Sequence, residues 1–222
     1  MPTQDSTVVD RNVEDQFPPL SVDEKAYSVD KVATHARFGC AGLNTAILAL
    51  DLGTKCGYAL RKRDGTLVHG TEVFTPRASW SAGQKWSRFS AWLSSTIVEG
   101  GATVIAYEDV KNHAGVLAAH AYGGFLAMME MVADQHNLTL QPVGVGVVKR
   151  SWTGNGAADK DTMIAQAKVR GFRVVDDNNA DALAILHWAI KAERGENPPS
   201  TPKPKKKKPV AKVAPAGQEC LL

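Results

Sequence analysis

From Thr45 onward the chain alternates between apolar runs and polar breaks. Thr45–Asp51 is apolar and ends on an acid, and Gly57–Arg61 resumes the apolar character. Arg63-Asp64-Gly65-Thr66 carries a turn signal, and Thr66–Phe74 reads as a further strand. An Asp-Gly step between such runs predicts a hairpin, so the three segments read as a three-stranded antiparallel meander. The period then changes. Trp86, Phe89, Leu93 and Ile97 recur at spacings of three and four within Ser81–Val98, the stripe of an amphipathic helix. Thr103–Tyr107 reads as a buried strand running into Glu108, Ala114–His136 as a long helix rich in small residues, and Leu138–Val143 as a strand. Val145–Arg150 leads to a glycine turn, Gly154-Asn155-Gly156. Asp159–Arg170 predicts a helix, Arg173–Val175 a short strand and Ala180–Arg194 a last helix. A meander feeding strands that alternate with helices predicts an α/β fold: a mixed sheet with parallel strands added to the antiparallel ones, flanked by helices.

The pattern fails at both ends. Residues 1–43 hold Pro18-Pro19 and many polar groups, and read as a loose acidic extension with a short helix near Asp23–Ala33. Residues 195–222 are rich in proline, lysine and alanine and read as a disordered tail. The domain is therefore expected over 44–194. Charge follows this division. Of the net +3, the tail carries six lysines against two glutamates (+4) and the first 43 residues four basic against seven acidic groups (−3), which leaves about +2 for 44–194. The run Lys203-Pro204-Lys205-Lys206-Lys207-Lys208 suits salt-sensitive, nonspecific binding to nucleic acid, or simple solubility. No membrane span is expected, because Asp51 breaks the apolar run around Ile47–Leu50. The amino terminus is polar without a signal-peptide core, which predicts a cytoplasmic protein. Cys40, Cys56 and Cys220 are odd in number and widely spaced, which argues against a zinc site or disulfide framework.

Three acids stand where apolar elements begin or end. Asp51 closes Ile47-Leu48-Ala49-Leu50 and is followed by Leu52-Gly53-Thr54, and Glu108 closes Val104-Ile105-Ala106-Tyr107. Alternation of side chains lets only one of Glu108 and Asp109 face Asp51, and Glu108 continues the strand directly. The third signal is Asp176-Asp177-Asn178-Asn179-Ala180-Asp181, an acidic cluster opening an apolar helix. Any one acid there could simply cap the helix or end a strand at a solvated turn. Asp177 and Asp181, four apart, share a helical face, as do Asn178 and Asp181, three apart. Two strand-end acids and a helix acid can converge on two Mg²⁺ ions roughly 4 Å apart, which would activate water and stabilise the leaving oxygen of a phosphodiester.

The Asp51-Leu52-Gly53-Thr54 segment, Glu108 and Ala180-Asp181-Ala182-Leu183-Ala184 resemble, in order and spacing, the RuvC-type resolvases. The most specific match is Val148-Lys149-Arg150-Ser151-Trp152-Thr153-Gly154-Asn155-Gly156-Ala157-Ala158-Asp159-Lys160, with Lys149 and Lys160 eleven residues apart on either side of the glycine turn. This resemblance covers about residues 44–190. It implies a ribonuclease H-like fold, a homodimer, Mg²⁺ or Mn²⁺ as cofactor, and paired nicks across a four-way DNA junction or another branched DNA. It makes Asp51, Glu108 and Asp181 the metal ligands and Lys149 and Lys160, with the adjoining Arg150, the phosphate contacts. The family places a fourth acid three residues before the last one. Asn178 stands there, so either Asn178 or Asp177 would complete the site. Phage-borne members are common in such divergent branches, which would place the enzyme in a host's cytoplasm.

Other features bear on the alternatives. His113 and His120 are seven apart and read as a surface or interface pair on one helical face. Gly115, Ala118, Ala119, Gly123, Gly124 and Ala127 would let another helix approach closely, and the resemblance puts this helix near a dimer interface. Trp80 and Trp152 could stack on a base if exposed. Asp51-Leu52-Gly53-Thr54 also resembles the first phosphate loop of actin-type ATP-using proteins, but those need a duplicated fold and a second nucleotide motif. Asp51, Gly53 and Lys55 match the start of a ribosomal RNA-processing nuclease family, and Asn178 makes a catalytically inactive DNA-binding module conceivable.

Overall fold

The structure, a computed structural model, describes residues 43–113 and 115–196. The acidic extension, the helix expected near Asp23–Ala33, the lysine run of the tail, Cys40 and Cys220 lie outside the described residues. Among the described residues, five strands and five helices follow in the order β1 (Ile47–Asp51), β2 (Lys55–Arg61), β3 (Leu67–Val73), α1 (Gln84–Gly100), β4 (Val104–Asp109), α2 (Val116–Gln135), β5 (Thr139–Gly144), α3 (Val145–Thr153), α4 (Lys160–Val169) and α5 (Asp177–Glu193). One sheet runs β3-β2-β1-β4-β5. β1 pairs antiparallel with β2 and β2 with β3, whereas β4 lies parallel to β1 and β5 parallel to β4. This is the mixed α/β sheet that the sequence predicts.

Strand alternation splits the core in two. Ile47 and Ala49 of β1, Ala59 of β2, Leu67 of β3 and Val104 and Ala106 of β4 face α3, α4 and α5. Leu48, Leu50, Tyr58, Leu60, Ile105 and Tyr107 face α1 and α2, where Phe89, Leu93, Phe125 and Met129 complete the second layer. The amphipathic stripe expected of α1 is what it buries: Phe89, Leu93 and Ile97.

Four expectations change. Val145–Thr153 is a helix, because Val148 and Trp152, four apart, both bury into the first core layer. Arg173–Val175 forms no strand. It joins α4 to α5 past Gly171, whose φ of 84° turns the chain; Val174 within it and Phe172 before it reach the core. α5 begins at Asp177 rather than Ala180 because Asp176 caps it, its side chain accepting from Asn179 N. Finally, α2 is, by length and composition, apolar enough to cross a bilayer, contrary to the expectation that nothing approaches a span. Tyr122, Phe125, Met129, Val132 and Ala133 instead seat it on the sheet.

The two small-residue helices have different reasons for being small. Gly124 of α2 lies against the Trp86 ring of α1, where a Cβ would collide, so its lack of a side chain serves packing inside the chain. α5 is alanine-rich because Ala180, Ala182, Ala184 and Ala189 are all fully buried between the sheet and its neighbours.

The closest approach is at Gly57 of β2. A Cβ there would overlap the backbone carbonyl of Asn178 in the first turn of α5, and backbone cannot yield as a flexible side chain can. Overpacking of this kind costs about 1–3 kcal/mol. Gly57→Ala should lower the urea unfolding free energy by that amount; an unchanged midpoint would show that α5 does not depend on this contact.

Candidate functional site

Asp51 and Glu108 are brought together by strand phase. Asp51 is in step with Ile47 and Ala49, and Glu108 with Val104 and Ala106, so both project to the α5 face. The parallel register of β1 and β4 ends at Leu50↔Tyr107, which leaves Asp51 and Glu108 side by side just past it. Asp109 takes the opposite phase and pairs with Lys111 at 2.5 Å. The end of β4 is clamped by Tyr122 of α2, whose hydroxyl donates to Glu108 O at 2.8 Å and accepts from Val110 N at 3.3 Å. His113 precedes α2 rather than lying on it, and packs at a tilt against Tyr122 with ring centroids 4.8 Å apart. The expected helical face shared with His120 is therefore absent.

α5 supplies the remaining acids, and polar contacts fix its first turn to β3. Thr71 Oγ1 donates to Asp176 Oδ1 at 2.6 Å. The fully buried Asn179 faces His69, Oδ1 to Nδ1, at 3.1 Å and donates from Nδ2 to Gly70 O at 3.3 Å. With α5 held there, Asp181 lies one turn in, close enough to raise the proton affinity of both Asp51 and Glu108. Sequence reasoning passed over His69, Thr71, Asp176 and Asn179 as site supports. The signal was available: His69 and Thr71 are polar residues in phase with core-facing Leu67.

The basic residues divide. Lys160, the first residue of α4, forms an ion pair with Asp177; Asp159 caps that helix by accepting from Thr162 N at 2.9 Å. Lys149 of α3 donates from Nζ to Ala158 O at 2.7 Å, tying down the loop that carries Lys160, while its charge eases the ionisation of Glu108 and Asp181. Arg150 is exposed, with its guanidinium beside Gly156. Trp152 is buried, donating to Met163 O at 3.2 Å under the Arg170 guanidinium, so it offers no face to a base.

These half-buried carboxylates crowd one another. Burial, then the negative charges of Asp181, Glu108 and Asp177, hold the Asp51 carboxyl well above the usual range, with Lys160 opposing. Glu108 is pushed up to about 7 by burial and then by Asp181, and Asp181 to about 6, chiefly by burial. Asp177 goes the other way, because the Lys160 ammonium donates to it. An open cleft of about 390 Å³ is lined by Asp51 and Lys55 from the sheet, by Thr54 from the turn between them, and by Lys160, Asp177 and Asn178 from the helices.

Buried like charges that repel are relieved by a cation, and an all-oxygen set suits a hard one such as Mg²⁺ or Mn²⁺. Among the described residues no three Asp, Glu, His or Cys side chains already close on a point.

No protein-family model matches the sequence. A crossover junction endodeoxyribonuclease RuvC from Anaeromyxobacter sp. strain Fw109-5 is 31% identical over 153 residues, covering 66% of this chain and 74% of the relative. The chain belongs to the RuvC family. The RuvC of Anaeromyxobacter sp. strain K is 26% identical over 152 residues, covering 66% of this chain and 82% of its own length. Among solved structures, Thermus thermophilus RuvC in complex with a Holliday junction substrate superposes with a TM-score of 0.58 at 21% identity, over 68% of this chain and 97% of that one. The yeast mitochondrial Holliday junction resolvase gives 0.50 at 13% identity, over 68% and 80%. The ribonuclease H-like arrangement expected from the RuvC resemblance is thus the observed one.

The crowding sets a pH dependence. Asp51, Glu108 and Asp181 keep protons in the folded state where the unfolded chain has lost them, so the folded state binds more protons between about pH 4 and pH 7. The associated stability is complete below the unfolded values and is lost as pH rises through the folded ones. Urea denaturation of metal-free protein should give a stability lower at about pH 8 than at about pH 5, by on the order of 2 kcal/mol. Asp51→Asn should flatten this slope. Stability that rises over the same interval would contradict the carboxylate cluster.

Proposed function

We propose that this RuvC-family endodeoxyribonuclease resolves four-way DNA junctions as a homodimer, with Asp51, Glu108 and Asp181 as ligands of two divalent ions. The observation that carries the reading is the nearness of three carboxylates of raised proton affinity, two at the ends of β1 and β4 and one on α5, beside a cleft rimmed by Lys55 and Lys160. When bound, Mg²⁺ or Mn²⁺ would supply an activated water and stabilise the leaving oxygen. The protein's own groups do the rest. β1 and β4 fix two carboxylates by register. α5 adds the third. Both Asp177 and Asn178 line the cleft, but an amide carries no charge and Asp177 already holds a cation, the Lys160 ammonium, so Asp177 supplies the fourth charge. A strand phosphate entering the cleft would take Lys160 as its counter-charge, and Arg150, exposed on α3, would hold the backbone further along. Lys149 acts mainly by positioning the Ala158 loop.

Pairing of nicks needs two sites, and α2 offers the surface for a second copy. Val116 is 69% exposed, Leu117 84% and Met131 45%, and Gly123, where a Cβ would meet nothing within 4 Å, lies on the same open side. The enzyme would work in the cytoplasm, of a host cell if the gene is phage-borne.

Two measurements test this reading. A synthetic four-way junction with Mg²⁺ should receive symmetric nicks, and Asp51→Asn should slow them at least about a hundredfold while still binding the junction. Cleavage confined to linear duplex, flap or RNA–DNA hybrid would move the substrate elsewhere, and metal-dependent cleavage of nothing would leave a binding module. Sedimentation equilibrium should give a dimer that Leu117→Lys weakens at least tenfold; a wild-type monomer would overturn the assembly.

A further inference from the structure

Between Glu72 and Glu99 the sequence holds no acid, yet it holds Arg77, Lys85 and Arg88. This segment leaves the sheet at the cleft. Phe74 N, just past β3, donates to Thr54 O at 2.7 Å, and Thr54 is a cleft residue. β3 runs in the same direction as β1, since each is antiparallel to β2. The loop 75–83 therefore begins at the edge where Asp51 ends its strand.

The cations of this segment sit on aromatic rings. The Arg88 guanidinium lies 4.7 Å and that of Arg77 5.8 Å from the centroid of the half-exposed Trp80 ring. Lys85 Nζ lies 3.9 Å from that of Trp86. Among the described residues none of the three has a carboxylate partner. Arg88 Nε is shielded and makes no hydrogen bond among them, so the ring contact is the interaction that holds the guanidinium. A ring face orients a guanidinium without cancelling its charge. The outcome is a pair of pre-positioned, uncompensated guanidinium groups on the cleft side of the molecule.

We infer that Arg77 and Arg88, held by Trp80, form a second DNA contact that grips the phosphate backbone of a duplex arm leaving the cleavage site. Phosphate fits better than an unpaired base, because the Trp80 ring is already engaged by the two guanidiniums. This rests on the junction-cutting reading and adds a binding surface to it.

The test uses the full chain carrying Asp51→Asn, so that the DNA stays intact, and fluorescence anisotropy with labelled four-way junctions of long and short arms over a range of salt. Each phosphate contact removed lowers the slope of log affinity against log salt by about one. The R77Q/R88Q double variant should therefore lose about two in slope and bind the long-armed junction roughly tenfold more weakly at physiological salt. R77K/R88K should restore the slope. With arms too short to reach loop 75–83, the glutamine variant and its parent should bind alike. An unchanged slope on long arms, or an equal loss on short ones, overturns the inference while leaving the junction as substrate. Failure of the parent to bind any branched DNA overturns both.

Discussion

Everything at the candidate site depends on how closely the first turn of α5 can approach β2. Gly57 is the register partner of Asp51, and it is the residue on which the Asn178 carbonyl rests. The absence of one Cβ thus sets the height of the helix above the strand that carries the first carboxylate. The links from Thr71 to Asp176 and from His69 and Gly70 to Asn179 set its position along the sheet. Among the described residues, two of the three buried polar side chains, His69 and Asn179, are spent on this docking. Buried polar groups cost stability unless paired, and paired they fix one geometry.

That geometry works against the electrostatics it creates. The hydrophobic layer beneath α5 pulls Asp181 toward Asp51 and Glu108, and burial together with mutual repulsion raises the proton affinity of all three. Lys149 and Lys160 relieve part of the repulsion without closing the site, because one ammonium is anchored to Ala158 O and the other to Asp177. The fold thus holds a charge imbalance that a hard cation would satisfy, which is the physical content of the proposed metal site.

Much of this was legible in the sequence because it follows from period. Two-residue alternation was enough to separate Glu108 from Asp109 and to pair Glu108 with Asp51, and the observed phases agree. Helix spacing identified the buried face of α1. The misreadings arose where tertiary contact overrides local pattern. Val145–Thr153 gave no helix signal, since Gly146 and the β-branched valines weaken it, yet Val148 and Trp152 bury it as one. Arg173–Val175 has strand composition but no strand to pair with. Gly124 looked like a seat for a partner helix, and only the three-dimensional position of Trp86 shows that it is filled from within. The supports at His69 and Thr71 lay in a segment read correctly as a strand, but which strand face meets α5 depends on the sheet order.

The departure at residue 178 follows from the same docking. The backbone of Asn178 is held against Gly57, and its side chain donates from Nδ2 to Asp176 Oδ2 at 3.5 Å. A carboxylate at 178 would stand beside that of Asp176, which already accepts from Thr71 and Asn179, and would add repulsion at the cap that holds the helix. An acid at 177 is placed differently. It sits in the first turn, where the helix dipole favours negative charge, and Lys160 from α4 neutralises it. An acid at 177 rather than 178 therefore keeps a carboxylate in the cleft with Asp51 and spares the capping contacts on which the position of Asp181 depends.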